Sequence, residues 1–162
     1  MEIERMQASD WSTVARIYRA GIETGHATFE VNVPVWKTFD ATRHERPRLV
    51  AREDDRVVGF AALTPASTRA VYNGVADIMI YVDAPDRGRG VGGQLLAALI
   101  TGSEENGIWT LQAGIFPENE ASLRLHRAHG FRDVGRRERI AQRDGVWRDV
   151  LWLERRSTTV GV

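Results

Sequence analysis

The segment from Ile78 to Leu96 constrains this chain more than any other. Ile78-Met79-Ile80-Tyr81-Val82 is an apolar, strand-like run, and Asp86-Arg87-Gly88-Arg89-Gly90-Val91-Gly92-Gly93 is a loop rich in glycine and arginine. Gln94-Leu95-Leu96 then opens an apolar stretch with helical spacing. A strand that turns through glycines into a helix leaves backbone N–H groups pointing out of the helix N-terminus, at the positive end of its dipole. Arg87 and Arg89 add full positive charge. The combination predicts an anion cradle suited to a phosphate-bearing cofactor.

Three glycine-loop motifs compete for this stretch. A nucleoside-triphosphate P-loop needs Lys-Ser/Thr after its last glycine, and Gly93 is followed by Gln94. The dinucleotide pattern G-x-G-x-x-G is met formally by Gly88 to Gly93. That pattern also needs an acid roughly 20 residues on, at the end of the next strand, to hold a ribose. The next strand candidate runs from Trp109 to Phe116, and the acid beyond it, Glu118, lies too far along. The third pattern is Arg-x-x-Gly-x-Gly, met by Arg87 to Gly92.

On that third pattern the chain resembles the GNAT superfamily of acetyl-CoA-dependent N-acetyltransferases, whose pyrophosphate signature is Gln/Arg-x-x-Gly-x-Gly/Ala. A second stretch, Asn119-Glu120-Ala121-Ser122-Leu123-Arg124-Leu125-His126-Arg127-Ala128-His129-Gly130-Phe131, resembles the family's Asn-x-x-Ala/Ser-x-x-Leu-Tyr-x-x-x-Gly-Phe. Three further segments, Gly25-His26-Ala27-Thr28-Phe29-Glu30, Arg69-Ala70-Val71-Tyr72 and Trp147-Arg148-Asp149-Val150, are similar to the subgroup that acetylates phosphinothricin and methionine sulfoximine. The similarity covers roughly residues 2 to 154.

The resemblance implies acetyl-CoA as co-substrate and a small amino-acid-like acceptor. It implies that Arg87, Gly88, Arg89, Gly90, Val91, Gly92 and Gly93 cradle the pyrophosphate. It implies that Ile80, Tyr81 and Val82 pair with pantetheine as a strand would, and that Asn119 and Ser122 lie beside it. Asn119 is equally readable as a helix cap. Phe29, Glu30, Arg69 and Tyr72 are the candidate acceptor pocket. Arg69 offers a planar fork for a carboxylate, or else is a solvated loop arginine.

Amine acetylation needs a neutral amine, because an ammonium has no lone pair to attack a thioester. A proton acceptor is therefore needed. Asp77 is the first candidate, and it stands where the subgroup commonly has glutamate. Its alternative is an ion-pair acid. Glu30 is the rival base. His126 stands where many superfamily members have a tyrosine that protonates the departing thiolate; it is a candidate acid, or a packed histidine.

Composition bounds the rest. The 162 residues suit one domain with one core, spanning 1–162, with 155–162 read as a frayed tail. Zero formal net charge gives no basic field for nucleic acid, and no apolar run reaches a membrane span. Without cysteine there is no disulfide, no thiolate metal site and no cysteine to carry an acyl group. His126 and His129 lack further ligands, so no metal is expected. A cytoplasmic protein is the plain expectation, and the subgroup implies a homodimer. Other acceptors (a protein N-terminus, a polyamine, an aminoglycoside) and a non-catalytic acetyl-CoA sensor stay open.

The element order reads β-α-α-β-β-β-α-β-α-β-β. Expected strands are 3–6, 48–52, 56–63, 75–82, 108–116, 136–142 and 146–154; Pro34 is expected to open the second helix. The implied fold is a single-domain α/β (α+β) acetyltransferase fold, with a mixed, mostly antiparallel twisted sheet flanked by about four helices.

Overall fold

A computed structural model describes residues 1–162. The elements in chain order are β1 (Glu2–Arg5), α1 (Trp11–Glu23), α2 (Trp36–Thr42), β2 (Arg48–Glu53), β3 (Arg56–Pro65) and β4 (Val75–Val82). They continue with α3 (Val91–Glu105), β5 (Thr110–Ile115), α4 (Glu120–Ala128), β6 (Arg132–Arg143) and β7 (Val146–Arg156). The order matches the sequence expectation, and boundaries move by a few residues. Pro34 lies ahead of α2 rather than in its first turn, since Val35 is the N-cap. β6 starts four residues earlier than expected, directly after Phe131.

The strands form one seven-stranded sheet in the order β1-β2-β3-β4-β5-β7-β6. Every ladder is antiparallel except β4–β5, which α3 connects as a crossover. The sheet carries a core on each face. On one, Val91, Leu95, Leu96 and Leu99 of α3 and Leu123 of α4 pack on Val58, Ala61, Leu63 and Leu111. On the other, Val14, Ile17, Tyr18 and Ile22 of α1 and Phe39 of α2 pack on Val50, Val57, Phe60 and Ala62. Alternation along β3 breaks at Val58 because Ala51 pairs Gly59 while Arg52 pairs Val57, leaving Val58 as an extra residue.

The parallel ladder is short. It pairs Val75, Ala76 and Asp77 with Thr110, Leu111 and Gln112 and then stops. β4 nevertheless continues to Val82 and β5 to Ile115. Beyond Asp77, β4 keeps its antiparallel partner β3, through Gly59–Val82, but has none on the β5 side. The sheet is thus split from Asp77 onward. Residues 78–82 present unpaired backbone groups along one edge of the split, a template for an extended ligand.

The tail does not behave as a frayed segment from 155. Arg155 pairs with Glu104 at 3.0 Å, and β7 runs to Arg156. The amide of Ser157 donates to the carbonyl of Trp109 at 2.8 Å, and the Arg156 guanidinium collects the carbonyls of Ser157, Val160 and Gly161. A flexible-looking composition is overridden here because one guanidinium satisfies several carbonyls at once. No helix is long and apolar enough to cross a membrane.

Candidate active site

Two concavities flank the split. The first, of about 530 Å³, is lined by β4 from Asp77 to Tyr81 and by β5 with its extension from Ala113 to Phe116. The loop Ala27–Glu30 also lines it. The second, of about 670 Å³, is lined by the glycine loop, the end of β4 and the start of α4. They share Ala27, Ile80, Tyr81, Asn119, Ser122 and His126. The two spaces therefore meet at the middle of the free β4 edge.

The glycine loop fits an anion. Gly88 and Gly90 sit at φ +76° and +84°, in the left-handed region that disfavours side chains, with nothing within 4 Å of an added Cβ. Gly90 is the N-cap of a 15-residue helix and no side chain caps it. The first amides of α3 are thus left for an external acceptor. Arg87 lines this space, with Nε donating to the Val82 carbonyl at 3.3 Å.

Arg89 departs from expectation. It does not line the groove. Its guanidinium binds Asp86 at 2.6 Å and Glu53 at 2.8 Å, and Arg56 reaches the same Asp86 at 2.7 Å. Asp86 is 1% exposed, and the hydrogen bond from Arg56, with Arg89 adding to it, holds its carboxyl below the usual range. Arg89 clamps the loop to the β2–β3 turn instead of offering charge to a ligand. One of these carboxylates, Asp86, is only three residues away, but the other, Glu53, comes from the β2–β3 turn and leaves no local signal.

Asp77 stands at the vertex of the split, in the last rung with Gln112. One carboxylate oxygen, Oδ1, is buried without a hydrogen-bond partner. Burial pushes the carboxyl up, while the Arg137 charge opposes the shift. This is an environment for a proton acceptor, since a raised pKa moves an acid toward neutral working pH. Glu30 lies in the same space, on a loop whose Glu30 amide donates to Thr28 Oγ1 at 3.0 Å.

His126 is 4% exposed, with its ring edge-on to Phe131 at 5.0 Å between centroids. Its Nδ1 lies 2.8 Å from the Ser122 carbonyl. A carbonyl only accepts, so Nδ1 carries the proton and Nε2 is a bare acceptor. Nε2 is buried without a partner. Burial lowers the imidazole pKa, opposed by the Ser122 carbonyl. Of the two readings of His126, the packed and hydrogen-bonded histidine is the one its placement matches, with a bare acceptor nitrogen at the junction of the two spaces. His129 donates Nδ1–H to the Leu125 carbonyl at 2.8 Å.

Asn119 caps α4 by accepting from the Ser122 amide at 3.2 Å, and its amide nitrogen donates to the His26 carbonyl at 3.2 Å. It thereby ties α4 to the 24–30 loop. Phe29 packs edge-on against Phe116 at 4.9 Å and lines the first space. Tyr81 lines both spaces, stacked on Phe60 and 4.9 Å from the Tyr18 ring; burial raises both phenol pKa values.

Arg69 and Tyr72 are not brought to either space. They lie beyond the last β3–β4 rung, Pro65–Ala76, on an exposed turn where the guanidinium sits 5.5 Å over the Tyr72 ring. The loop leaves the sheet at the end opposite the glycine loop, which carries both side chains away from the split. The arginines that do line the first space, Arg43 and Arg137, carry no local sequence signal.

Two other arginines build the wall. Arg143 donates to the carbonyls of Ile22 at 2.6 Å, Glu30 at 3.3 Å and Thr28. Arg148 donates to Gly25 O at 3.0 Å, pairs with Glu118 at 3.2 Å and lies 4.1 Å over the Phe116 ring. The β6–β7 hairpin thus holds the loop bearing Phe29 and Glu30. No group of three His, Asp or Glu side chains is arranged for a metal ion.

Comparisons with known proteins agree with this geometry. The model of the Acetyltransferase (GNAT) family matches residues 11–131. Phosphinothricin N-acetyltransferase of Alcaligenes faecalis is 34% identical over 155 residues, 90% of this chain and 77% of that protein. The L-methionine sulfoximine/L-methionine sulfone acetyltransferase of Pseudomonas paraeruginosa is 34% identical over 118 residues, 72% of this chain and 69% of that protein. The crystal structure of a GNAT superfamily phosphinothricin acetyltransferase from Sinorhizobium meliloti in complex with AcCoA superposes with a TM-score of 0.90. It is 26% identical, covering 99% of this chain and 90% of that one. With the uncapped α3 at the glycine loop and the split sheet beside it, these matches show that this chain belongs to the GNAT family of acetyltransferases.

Proposed function

We propose that this protein transfers the acetyl group of acetyl-CoA to the α-amine of a small amino acid or analogue, of the phosphinothricin or methionine sulfoximine type. The observation that carries the reading is the junction of the two spaces at Ile80, Tyr81, Asn119, Ser122 and His126. One space ends in an anion cradle, and the other holds a buried proton acceptor.

When bound, acetyl-CoA supplies the activated thioester. The α3 amides and Arg87 hold its diphosphate, and the free edge of residues 78–82 hydrogen-bonds its extended arm. Amides on that edge, facing the junction, polarise the thioester carbonyl. Asp77 takes the ammonium proton, directly or through a water, and the lone pair so freed attacks the carbonyl. The Nε2 lone pair of His126 is a second acceptor within the junction; once protonated there it can return the proton to the departing thiolate. Attack is direct, because the chain has no cysteine to carry the acetyl group.

Two finer points belong to the same reading. The protein acts in the cytoplasm, consistent with its lack of cysteine. It works as a homodimer, supported by the free edge strand β6 and by exposed Val134, Ile140 and Trp147. Light scattering on the eluting protein tests the dimer.

The test of function is thiol release from acetyl-CoA with a panel of amines: L-phosphinothricin, L-methionine sulfoximine, ordinary amino acids, a polyamine and an aminoglycoside. The protein has no cysteine, so every free thiol detected is coenzyme A. Turnover confined to α-amino acids supports the reading. Acetyl-CoA binding without turnover of any amino acid overturns it and leaves a sensor.

A further inference from the structure

The segment from His26 to Val35 does not support itself. No amide in it donates to a backbone carbonyl. It keeps two local bonds, from the His26 amide to Thr24 Oγ1 at 3.2 Å and from the Glu30 amide to Thr28 Oγ1 at 3.0 Å. Yet its first residues border both spaces. His26 lines the second space, Thr28, Phe29 and Glu30 line the first, and Ala27 lines both.

The fastening of this loop divides at the same residue. Ahead of Ala27, Arg148 donates to the Gly25 carbonyl at 3.0 Å and lies 3.4 Å from His26 Nδ1. Asn119 donates to the His26 carbonyl at 3.2 Å. Beyond Ala27, Arg143 Nη1 donates to the carbonyls of Thr28 and, at 3.3 Å, Glu30. Its Nη2 holds the Ile22 carbonyl at 2.6 Å, inside the last turn of α1. No other side chain donates to a carbonyl of residues 28–30. A guanidinium presents its donors in a rigid fork, so this one arginine sets residues 28–30 against the end of α1. Neither Arg143 nor Arg148 lines either space, so both act through the loop.

We infer that the two arginines of the β6–β7 hairpin divide the loop between the substrates, Arg143 being the positioning residue of the acceptor half and Arg148, with Asn119, of the coenzyme half. The inference rests on each space receiving the substrate assigned to it above. The division is unequal. Arg148 shares its half with Asn119, whereas Arg143 holds its half without a second donor. Arg148 also lies 4.1 Å over the Phe116 ring, on which Phe29 packs edge-on, and so has a weaker reach into the acceptor half.

The test compares single variants of the full chain in steady-state kinetics and in amide nitrogen–proton correlation spectra. Arg143→Gln should raise the KM of the acetylated amino acid by about tenfold or more, with the KM of acetyl-CoA within about twofold of wild type. Arg143→Lys, with an ammonium in place of the fork, should fall between. Arg148→Gln should weaken acetyl-CoA more than the amino acid. In the spectra, Arg143→Gln should displace the Thr28, Phe29 and Glu30 signals more than those of Gly25 and His26, and Arg148→Gln should do the reverse. Melting curves identify any variant that fails to fold, and the two Lys variants then carry the comparison. A parallel rise of both KM values in Arg143→Gln, or loop signals that move together in both variants, overturns the inference. If no amino acid is turned over, the proposed activity falls, and the spectra by themselves uphold or overturn the division of the loop.

Discussion

Asp77 pairs with Gln112 in the last rung of the parallel ladder, and the two strands part immediately beyond it. The split in the sheet and its buried carboxylate are therefore one feature. The β4 edge opens directly beyond Asp77, whose Oδ1 stays buried and unpaired at that point.

Asp77→Asn should lower kcat by about 10²–10⁴ while leaving acetyl-CoA affinity in place, since it removes a proton acceptor and not a cofactor contact. Its effect on stability has the opposite sign. The folded pKa of Asp77 is raised above the ordinary carboxylate value by burial. The stabilising protonated form is fully present below that ordinary value, and its benefit is lost as pH rises through the raised pKa. Asn, always neutral, should melt higher than wild type near pH 7, with the gap closing under acid. Calorimetric scans across pH, paired with acetyl-CoA titrations, check both halves.

His126 should titrate below its ordinary value of 6.5 because burial disfavours the imidazolium. A depressed pKa contributes stability that is present above pH 6.5 and lost as pH falls through the folded value. His44, also lowered by burial, adds to the same window. Each unit of depression is worth about 1.4 kcal/mol. Long-range nitrogen–proton correlation spectra should show His126 protonated on Nδ1 at neutral pH. An Nε2-protonated ring would contradict the bond to the Ser122 carbonyl.

Gly21→Ala should disturb the junction from behind. An added Cβ would lie 2.3 Å from the Tyr81 ring, too close for any side chain. Tyr81 is stacked on Phe60 and cannot retreat without opening the core. Overpacking of this kind costs about 1–3 kcal/mol. The chemical-denaturation midpoint should fall, and KM should rise for both substrates because Tyr81 lines both spaces.

Arg87→Ala and Arg89→Ala should part company, although the two residues are separated by one glycine. Arg87 lines the groove and has no carboxylate partner, so its loss should raise KM for acetyl-CoA by about tenfold, with a shallower salt dependence. Arg89 is committed to Asp86 and Glu53. Its loss should appear mainly as a lower melting temperature, with acetyl-CoA affinity changed much less. Equal losses of affinity would contradict the clamp assigned to Arg89.

The local features of the fold were legible along the chain. Gly88 and Gly90 announced the left-handed turn into α3, Asn119 announced a cap, and Gly130 followed α4 at φ +85° as a helix-ending glycine does. Apolar spacing placed the helices and central strands within a few residues. These signals are short-range, because backbone conformation and capping depend on neighbours a turn away.

The acceptor side was less legible. Arg69 was the arginine that pattern favoured, yet it faces solvent, and Arg43 and Arg137 occupy the space instead. Arg89 had the look of a phosphate ligand and is neutralised by Asp86, three residues back, together with Glu53 from the distant β2–β3 turn. His126 was readable as an acid or as a packed histidine; it is packed, and a carbonyl one helical turn away, together with burial, makes its free nitrogen an acceptor.

The sequence by itself determined the family, the order of elements, the glycine cradle and the presence of a carboxylate before it. The tertiary structure decided which arginines are free, which are clamps, where the sheet splits and which nitrogen of His126 is bare. The reason is physical. Turns and caps are set within a few residues, whereas the partner, protonation and exposure of a charged side chain are set by whatever distant segments pack beside it.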